Sequence, residues 1–246
     1  MKNKPRRVPS PPATTRKRII FHLHTRHSVD SNLAPRDIVA FAAANGIQVL
    51  APTDHHSIRG AREIRELGAE HGIETIIGAE FSTDHGDIIG LFIEEDIFAR
   101  KAQEVIEEIH AQGGLAILPH PYRHHHLTDQ VLDSVDGIEV FNARLTEQLN
   151  RLAGELAALL KKPFFYGADA HLLPELGLVR TEVEVHGGEP LRAAVARGLH
   201  PVQLQATRPA HIYRSKMIAS ARRRTPIRYL RSLSKMLLCQ IRDRRH

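Results

Sequence analysis

The sequence has a single cysteine, Cys239, among its 246 residues. That excludes an internal disulfide framework and a thiolate metal cluster, and no disulfide partner is expected. Tryptophan is absent and aromatics make up only 5% of the chain, so stacking platforms for bases are not an obvious feature. No apolar run approaches the ~18 residues of a membrane span. The charged N-terminus is not followed by an apolar segment, so it does not read as a signal peptide, and the expected location is cytoplasmic. Acid is nearly missing from both ends. Residues 1–18 hold seven Lys/Arg and no acid, and residues 208–246 hold twelve Lys/Arg and one acid, Asp243.

What remains between those ends is acidic: residues 19–207 carry 15 basic and 27 acidic residues, net −12. Cations bound in this body would offset part of that charge. A hydrophobic content of 42% with 25% charged residues is globular, and the length suits one sizeable core. The chain divides into a flexible basic arm rich in proline over residues 1–17, a body over 18–207, and a basic, partly amphipathic tail over 208–246. Within the body, short apolar runs alternate with helical patterns. The runs begin at Ile19, Val49, Thr75, Ile88, Leu115, Gly137, Pro163 and Thr181. Between them, Ile58, Ala61, Ile64 and Leu67 share a helical face behind a possible Ser57 cap, Val105, Ile106 and Ile109 share another that stops at Gly113-Gly114, and Leu149, Leu152, Leu156, Leu159 and Leu160 share a third. Strand–helix alternation predicts an α/β fold with a largely parallel sheet and helices outside.

Seventeen histidines are an outlying number, and imidazole is the commonest metal ligand. Their placement follows the strand ends. The run at Ile19 is followed by His22-Leu23-His24, that at Val49 by Asp54-His55-His56, that at Ile76 by Glu80, that at Ile117 by His120, and that at Phe164 by Asp169-Ala170-His171. In α/β barrels that end of the sheet is the catalytic face. On an extended segment, His-x-His aims both rings to one side, as does Asp-x-His. Imidazole and carboxylate together suit Zn, Mn or Fe in multinuclear sites. Any one of these residues has a plain alternative: a cap or turn for Asp54, a solvated Glu80, a packed structural His120. The plain reading must hold independently at every strand end to remove the site.

These motifs resemble the PHP family, named for polymerase and histidinol phosphatase. The resemblance rests on His22-Leu23-His24 with Ser28 and Asp30, Thr53-Asp54-His55, Gly78-Ala79-Glu80, Leu118-Pro119-His120-Pro121 and Gly167-Ala168-Asp169-Ala170-His171, in family order across about residues 20–172. It implies a distorted (β/α)7 TIM-like barrel, a metal-dependent phosphoesterase over residues 18–207, and two or three divalent ions, with Mn, Zn or Fe as candidates. By analogy, His22, His24, Glu80 and Asp169 hold the first ion. Glu80 bridges to a second shared with His120. Asp30, His55 and His171 hold the third. The position expected to complete the second site, often histidine in the family, is Asp87. Asp30 is preferred over Ser31 because serine is a poor ligand, and Asp54 is expected to orient a ligand instead of being one.

Clustered divalent ions activate water and clamp phosphoryl oxygens, so no nucleophilic side chain is assigned. Arg144, Arg26, His27 and His56 are candidates for holding the substrate phosphate. His124-His125-His126 reads as a solvated loop, with a lid as the alternative. In the tail, Ile227, Leu230, Leu233, Leu237, Leu238 and Ile241 recur near helical spacing among Arg228, Arg231 and Lys235. This pattern suits peripheral contact with an anionic membrane, docking on the body, nucleic-acid phosphates, or a solvated tail. Deleting the tail near Arg208 is expected to spare turnover of small substrates. The expected function is hydrolysis of phosphate esters, with a phosphorylated small molecule, a nucleotide or a nucleic-acid end as substrate. The competing readings are a non-catalytic, metal-stabilised module that recruits nucleic acid or membrane through its basic ends, and amide hydrolysis on a related barrel.

Overall fold

The computed structural model describes residues 14–243. Eleven strands and eight helices follow in the order β1 (Thr14–Leu23), α1 (Pro35–Ala44), β2 (Val49–Pro52), β3 (Asp54–His55), α2 (Arg59–Ala69), β4 (Glu74–Thr75), β5 (Gly78–Thr83), β6 (Gly86–Leu91), α3 (Ala102–Ala111), β7 (Leu115–Leu118), α4 (Asp129–Ser134), β8 (Gly137–Asn142), α5 (Glu147–Leu159), β9 (Phe164–Gly167), β10 (Val179–His186), α6 (Leu191–Val195), β11 (His200–Leu204), α7 (Pro209–Arg222) and α8 (Pro226–Asp243). None of these helices is long and apolar enough to cross a membrane.

The strands form two sheets, ordered β11-β10-β1-β2-β4 and β3-β5-β6-β7-β8-β9. The expected distorted (β/α)7 TIM-like barrel, with a largely parallel sheet, is corrected in two respects. The ladders do not close into one barrel; the sheets meet where β2 passes through Thr53 into β3 and at an isolated bridge between Leu23 and Ala170. Nor is the pairing uniformly parallel: β6 runs antiparallel to both β5 and β7, and β10 runs antiparallel to β1 and β11. The β5–β6 reversal follows from a tight turn at residues 84–85, too short for a crossover helix.

The expected arm is corrected over residues 14–17. Residues 14–17 belong to β1 and pair with β10 from Thr14↔His186 through Lys17↔Val183. The reading of residues 1–13 lies outside the described residues. Helix α2 starts one residue beyond the expected cap: Ile58 is its N-cap, while Ser57 Oγ accepts from the Arg59 N–H at 3.3 Å. Helices α2 and α3 bury the faces containing Ile64 and Val105, Ile106 and Ile109. Leu159 of α5 points to solvent instead. The apolar interiors of β1, β2, β5, β7 and β9 are thereby covered, and their C-terminal ends are left together at one mouth.

Candidate metal centre

The residues at that mouth converge in space. His22, His24, Glu80, His120, Asp169 and His171 are all buried. His22 Nε2 lies 3.6 Å from Glu80 Oε1 and 3.8 Å from Asp169 Oδ1. His24 Nε2 lies 3.5 Å from Glu80 Oε2 and 3.4 Å from Asp169 Oδ1. His120 Nε2 approaches Glu80 Oε1 at 3.0 Å, and Asp87 joins these two in a group whose ligand atoms lie within 4.8 Å of one another. Asp30 Oδ2 lies 3.1 Å from His171 Nε2 and 3.4 Å from His55 Nε2, whose Nδ1 is 3.1 Å from Glu80 Oε2.

Three histidines share one logic of orientation. A carboxylate can only accept, so His22 Nδ1–H donates to Glu139 Oε1 at 2.7 Å. Ser28 Oγ–H is committed to Asp54 Oδ1 at 2.6 Å, so His24 Nδ1–H donates to Ser28 Oγ at 3.2 Å. His171 Nδ1–H donates to the Asp169 carbonyl at 2.8 Å. Each Nδ1 contact keeps a proton on that nitrogen, so Nε2 is the atom directed at the carboxylates and the one that offers a lone pair when the ring is neutral. This is the arrangement by which outer contacts aim metal-binding imidazoles. Asp54 acts through Ser28 and also accepts from Thr25 N and Thr25 Oγ1, both at 2.6 Å. Gly60 is required beside it, since a Cβ there would stand 1.9 Å from Asp54 Oδ2. Ser31 ties two ligand backbones together, donating to His24 O and lying 3.0 Å from His171 O.

The backbone carries strain at the same place. His22, His120 and Asp169 have positive φ of 61°, 29° and 45°. Non-glycine residues adopt such angles only where the surroundings over-determine them. His22 and His24 therefore reach the same carboxylates through a bulge, where the β1–β2 register shifts between Phe21 and Leu23, and not through ideal strand alternation.

The electrostatics reflect packed opposite charges. Burial disfavours the charged form of His22, but Glu139, Asp169 and Glu80 outweigh it and hold the imidazole well above its ordinary pKa. His55 is raised in the same way by Asp30 and Glu80. Burial would raise Glu80 and Asp169, yet His22 and its neighbours hold both well below the usual carboxylate range. Burial, with His171 and His55 beside it, pushes His24 down to about 3, so it is neutral at physiological pH. His22 Nε2, His24 Nε2, Asp30 Oδ1 and His120 Nδ1 are buried with no hydrogen-bond partner. Unpartnered buried nitrogen and oxygen atoms are expensive unless a cation or another partner satisfies them. The donor set of imidazoles and carboxylates fits a divalent ion.

A cavity of about 440 Å³ opens beside the cluster, lined by Asp30 and His171 on one side and by Arg123, Arg144, Tyr213 and Lys216 on others. Arg144 thus stands at the cavity; its Nη1 donates to the Asp169 carbonyl at 3.3 Å, and it also bonds Ser215 of α7. The other phosphate candidates do not line it. Arg26 and His27 both pair with Glu63, at 2.7 and 2.9 Å, and His56 packs edge-on against Phe81. The histidine run after His120 is packed on the site: Arg123 Nη1 lies 3.0 Å from Asp169 Oδ2, His124 lines the cavity, and His125 Nε2 accepts from the Asp87 N–H at 3.0 Å.

Four residues of the candidate site escaped the sequence reading. Glu139 lies inside an apolar strand run, and the only signal was a carboxylate at an otherwise buried position. Asn142 donates to Glu139 and lies 3.3 Å from Asp169 Oδ2. Arg123 was hidden among histidines, and Lys216 in the tail. The tail is not an appendage, because α7 forms a wall of the cavity.

Comparison with known proteins agrees with this geometry. A family model for the PHP domain matches residues 21–175. An uncharacterized protein of Methanocaldococcus jannaschii is 46% identical over 137 residues, covering 50% of this chain and 80% of that protein. A 5'-3' exoribonuclease of Haemophilus influenzae is 41% identical over 68 residues, which span 28% of this chain and only 24% of that enzyme. A two-domain protein from Bacteroides vulgatus containing a predicted PHP-like metal-dependent phosphoesterase superposes with a TM-score of 0.65 at 17% identity, over 83% of this chain and 69% of that one. At that identity the likeness concerns the fold alone.

Proposed function

This chain belongs to the PHP domain family, and from that membership we propose that it hydrolyses phosphate esters with water activated by divalent cations. The observation that carries the proposal is the convergence of three imidazole Nε2 atoms, each anchored at Nδ1, on the buried carboxylates Glu80 and Asp169 and the half-buried Asp30 beside a cation-lined cavity. His22, His24, Glu80 and Asp169 would hold one ion, Glu80, Asp87 and His120 a second, and Asp30, His55 and His171 a third. The ligand set suits Mn, Zn or Fe. When bound, such ions lower the pKa of water and neutralise phosphoryl charge.

The chain's own residues do the rest. Arg144 and Arg123 face the cavity with guanidinium groups suited to phosphate oxygens, and Lys216 adds a third positive charge. Glu139 and the Asp54–Ser28 pair hold the imidazoles in the tautomer that leaves Nε2 free. Asn142 and Arg123 hold Asp169 in place. Burial of the carboxylates keeps bulk water from screening them. No side-chain nucleophile is needed, and the only cysteine lies in α8, away from every strand end.

The substrate is a phosphorylated small molecule, a nucleotide or the end of a nucleic acid. The likeness to the Haemophilus exoribonuclease supports a nucleic-acid-derived substrate, though the chain spans about a quarter of that enzyme. The α7 wall and the modest cavity favour a terminal phosphate over a polymer interior.

The test is turnover. Purified protein supplied with Mn²⁺ should hydrolyse an aryl phosphate, and a panel of nucleotides and short oligonucleotides should reveal the preferred ester. Glu80→Ala or Asp169→Ala should each lower turnover by at least about a thousandfold while the protein stays folded. Protein that binds its full complement of metal yet hydrolyses no ester would overturn the proposal.

A further inference from the structure

Helix α8 carries a second surface that the catalytic reading does not use. It packs along α7 through the side that holds Ser232, Tyr229, Leu233 and Met236, which are buried or half-buried. The opposite side is open and, Ser234 apart, apolar. Ile227 is 67% exposed, Leu230 62% and Leu238 61%, with Leu237 beside them. At helical spacing these four fall on one stripe. Arg228 and Arg231 run along one border of that stripe and are exposed, while Lys235 on the same border has its ammonium 5.7 Å from the centre of the Tyr213 ring of α7. Near the start of the helix, Arg224, Arg228 and Arg231 surround a shallow hollow whose floor includes Pro226 and Ile227. Not one acidic residue occurs from Pro226 to Gln240.

We propose that the outer face of α8 is a docking surface for an anionic lipid bilayer, with the aliphatic stripe entering the headgroup boundary and the arginines beside it meeting lipid phosphates. An amphipathic helix with aliphatic side chains on one face and Lys/Arg beside them lies in the interface plane, since each feature is satisfied there at once. No helix among the described residues is long and apolar enough to cross a bilayer, and the contact proposed for α8 is peripheral. Charge complementarity selects this occupant. A second copy of the chain would bring the same cations face to face with no acid to oppose them. Nucleic acid would satisfy the arginines but leave the aliphatic stripe in water, and the stripe offers no aromatic ring for a base to stack on.

The surface separates from the catalytic cavity in residues, so its test is independent of turnover. The full chain is mixed with vesicles of phosphatidylcholine alone or with added phosphatidylglycerol, and the protein that sediments with vesicles is measured. Protein should sediment with the phosphatidylglycerol vesicles and not with phosphatidylcholine alone. Leu230→Glu combined with Leu238→Glu should weaken binding at least about tenfold, and Arg228→Glu combined with Arg231→Glu at least about tenfold, the second effect shrinking in high salt. Both variants should keep aryl phosphatase activity and melting temperature. Absence of binding to the anionic vesicles overturns the proposal, as does binding that ignores the leucine changes. Oligonucleotide binding that survives the leucine changes, without vesicle binding, would assign the surface to nucleic acid. A concentration-dependent dimer abolished by the leucine changes, without vesicle binding, would assign it to self-association.

Discussion

Glu139 is buried and accepts from three donors at once: His22 Nδ1 at 2.7 Å, the His120 backbone N–H at 2.8 Å and Asn142 Nδ2 at 3.0 Å. Gly167 makes room for it, since a Cβ there would stand 1.6 Å from Glu139 Oε1. A negative acceptor on Nδ1 raises the basicity of Nε2 and fixes the ring's direction. Glu139→Gln keeps the volume but removes the charge, and its amide group must turn a donor toward one of three existing donors. The expected outcome is a 10–100-fold loss of metal affinity, about the range typical of lost outer contacts, with kcat largely recovered at saturating metal. Metal titration followed by steady-state kinetics checks it; a lower melting temperature with unchanged metal affinity would reduce Glu139 to a packing role. The contrast with the ligands explains what a sequence can show at this scale. His22, His24, Glu80, His120 and Asp169 stand at the ends of apolar runs, where a polar residue has no packing reason to be. Glu139 stands inside such a run and looks like an ordinary strand position. The alternation argument for His22-Leu23-His24 reached the right meeting point by the wrong geometry, because φ at His22 is 61° and no sequence rule announces a bulge there.

At the scale of elements, α7 is where reading and structure differ most. The tail was expected to be dispensable for small substrates, yet α7 places Tyr213, Ser215 and Lys216 on the cavity, and Ser215 bonds Arg144. The segment before it is also anchored, with Thr207 Oγ1 donating to Glu175 Oε1 at 2.6 Å and Glu175 in turn accepting from the His171 N–H at 2.9 Å. Helix α7 could not be read because it buries small residues, Ala210, Ser215 and Ser220, and so shows no apolar stripe. Strand β11 was missed for a related reason, since all five of its residues are exposed. By contrast, α3 was legible from its apolar period, and β1, β2, β6, β7, β8 and β9 from short apolar runs set between helical patterns. Ending the chain after Thr207 should therefore lower kcat/KM for an aryl phosphate at least about tenfold, because Arg144 loses its partner and the cavity a wall. Lys216→Ala should act more narrowly, raising KM while leaving kcat near its original value, the pattern of lost binding common to ground and transition states. Steady-state kinetics on both variants decides it. Undiminished kcat/KM in the truncated chain would place α7 outside the working site.

At the scale of the whole molecule, the acidic body and its protons are linked to metal. In the metal-free chain, His22 and His55 are held well above their ordinary pKa by the carboxylates around them. A raised imidazole contributes stability that is fully present below its unfolded pKa of about 6.5 and is lost as pH rises through the folded value. Glu80, Asp169 and Asp30 are depressed, so their contribution is present above about pH 4 and is lost as pH falls through their folded values. His24, already neutral at about 3, has no proton to give up to a cation near neutral pH. Divalent ions must displace the protons on His22 and His55, and they then supply the positive charge those protons provided. The stabilisation conferred by metal should consequently grow as pH rises from about 6 to about 8. Melting curves of chelator-treated and Mn²⁺-loaded protein across that range test this. The chelated protein should lose melting temperature toward alkaline pH while the loaded protein holds it, so the two curves diverge. Curves that fall in parallel would mean that the imidazole protons are not what the cations replace, and the ligand assignment of His22 and His55 would fall with them.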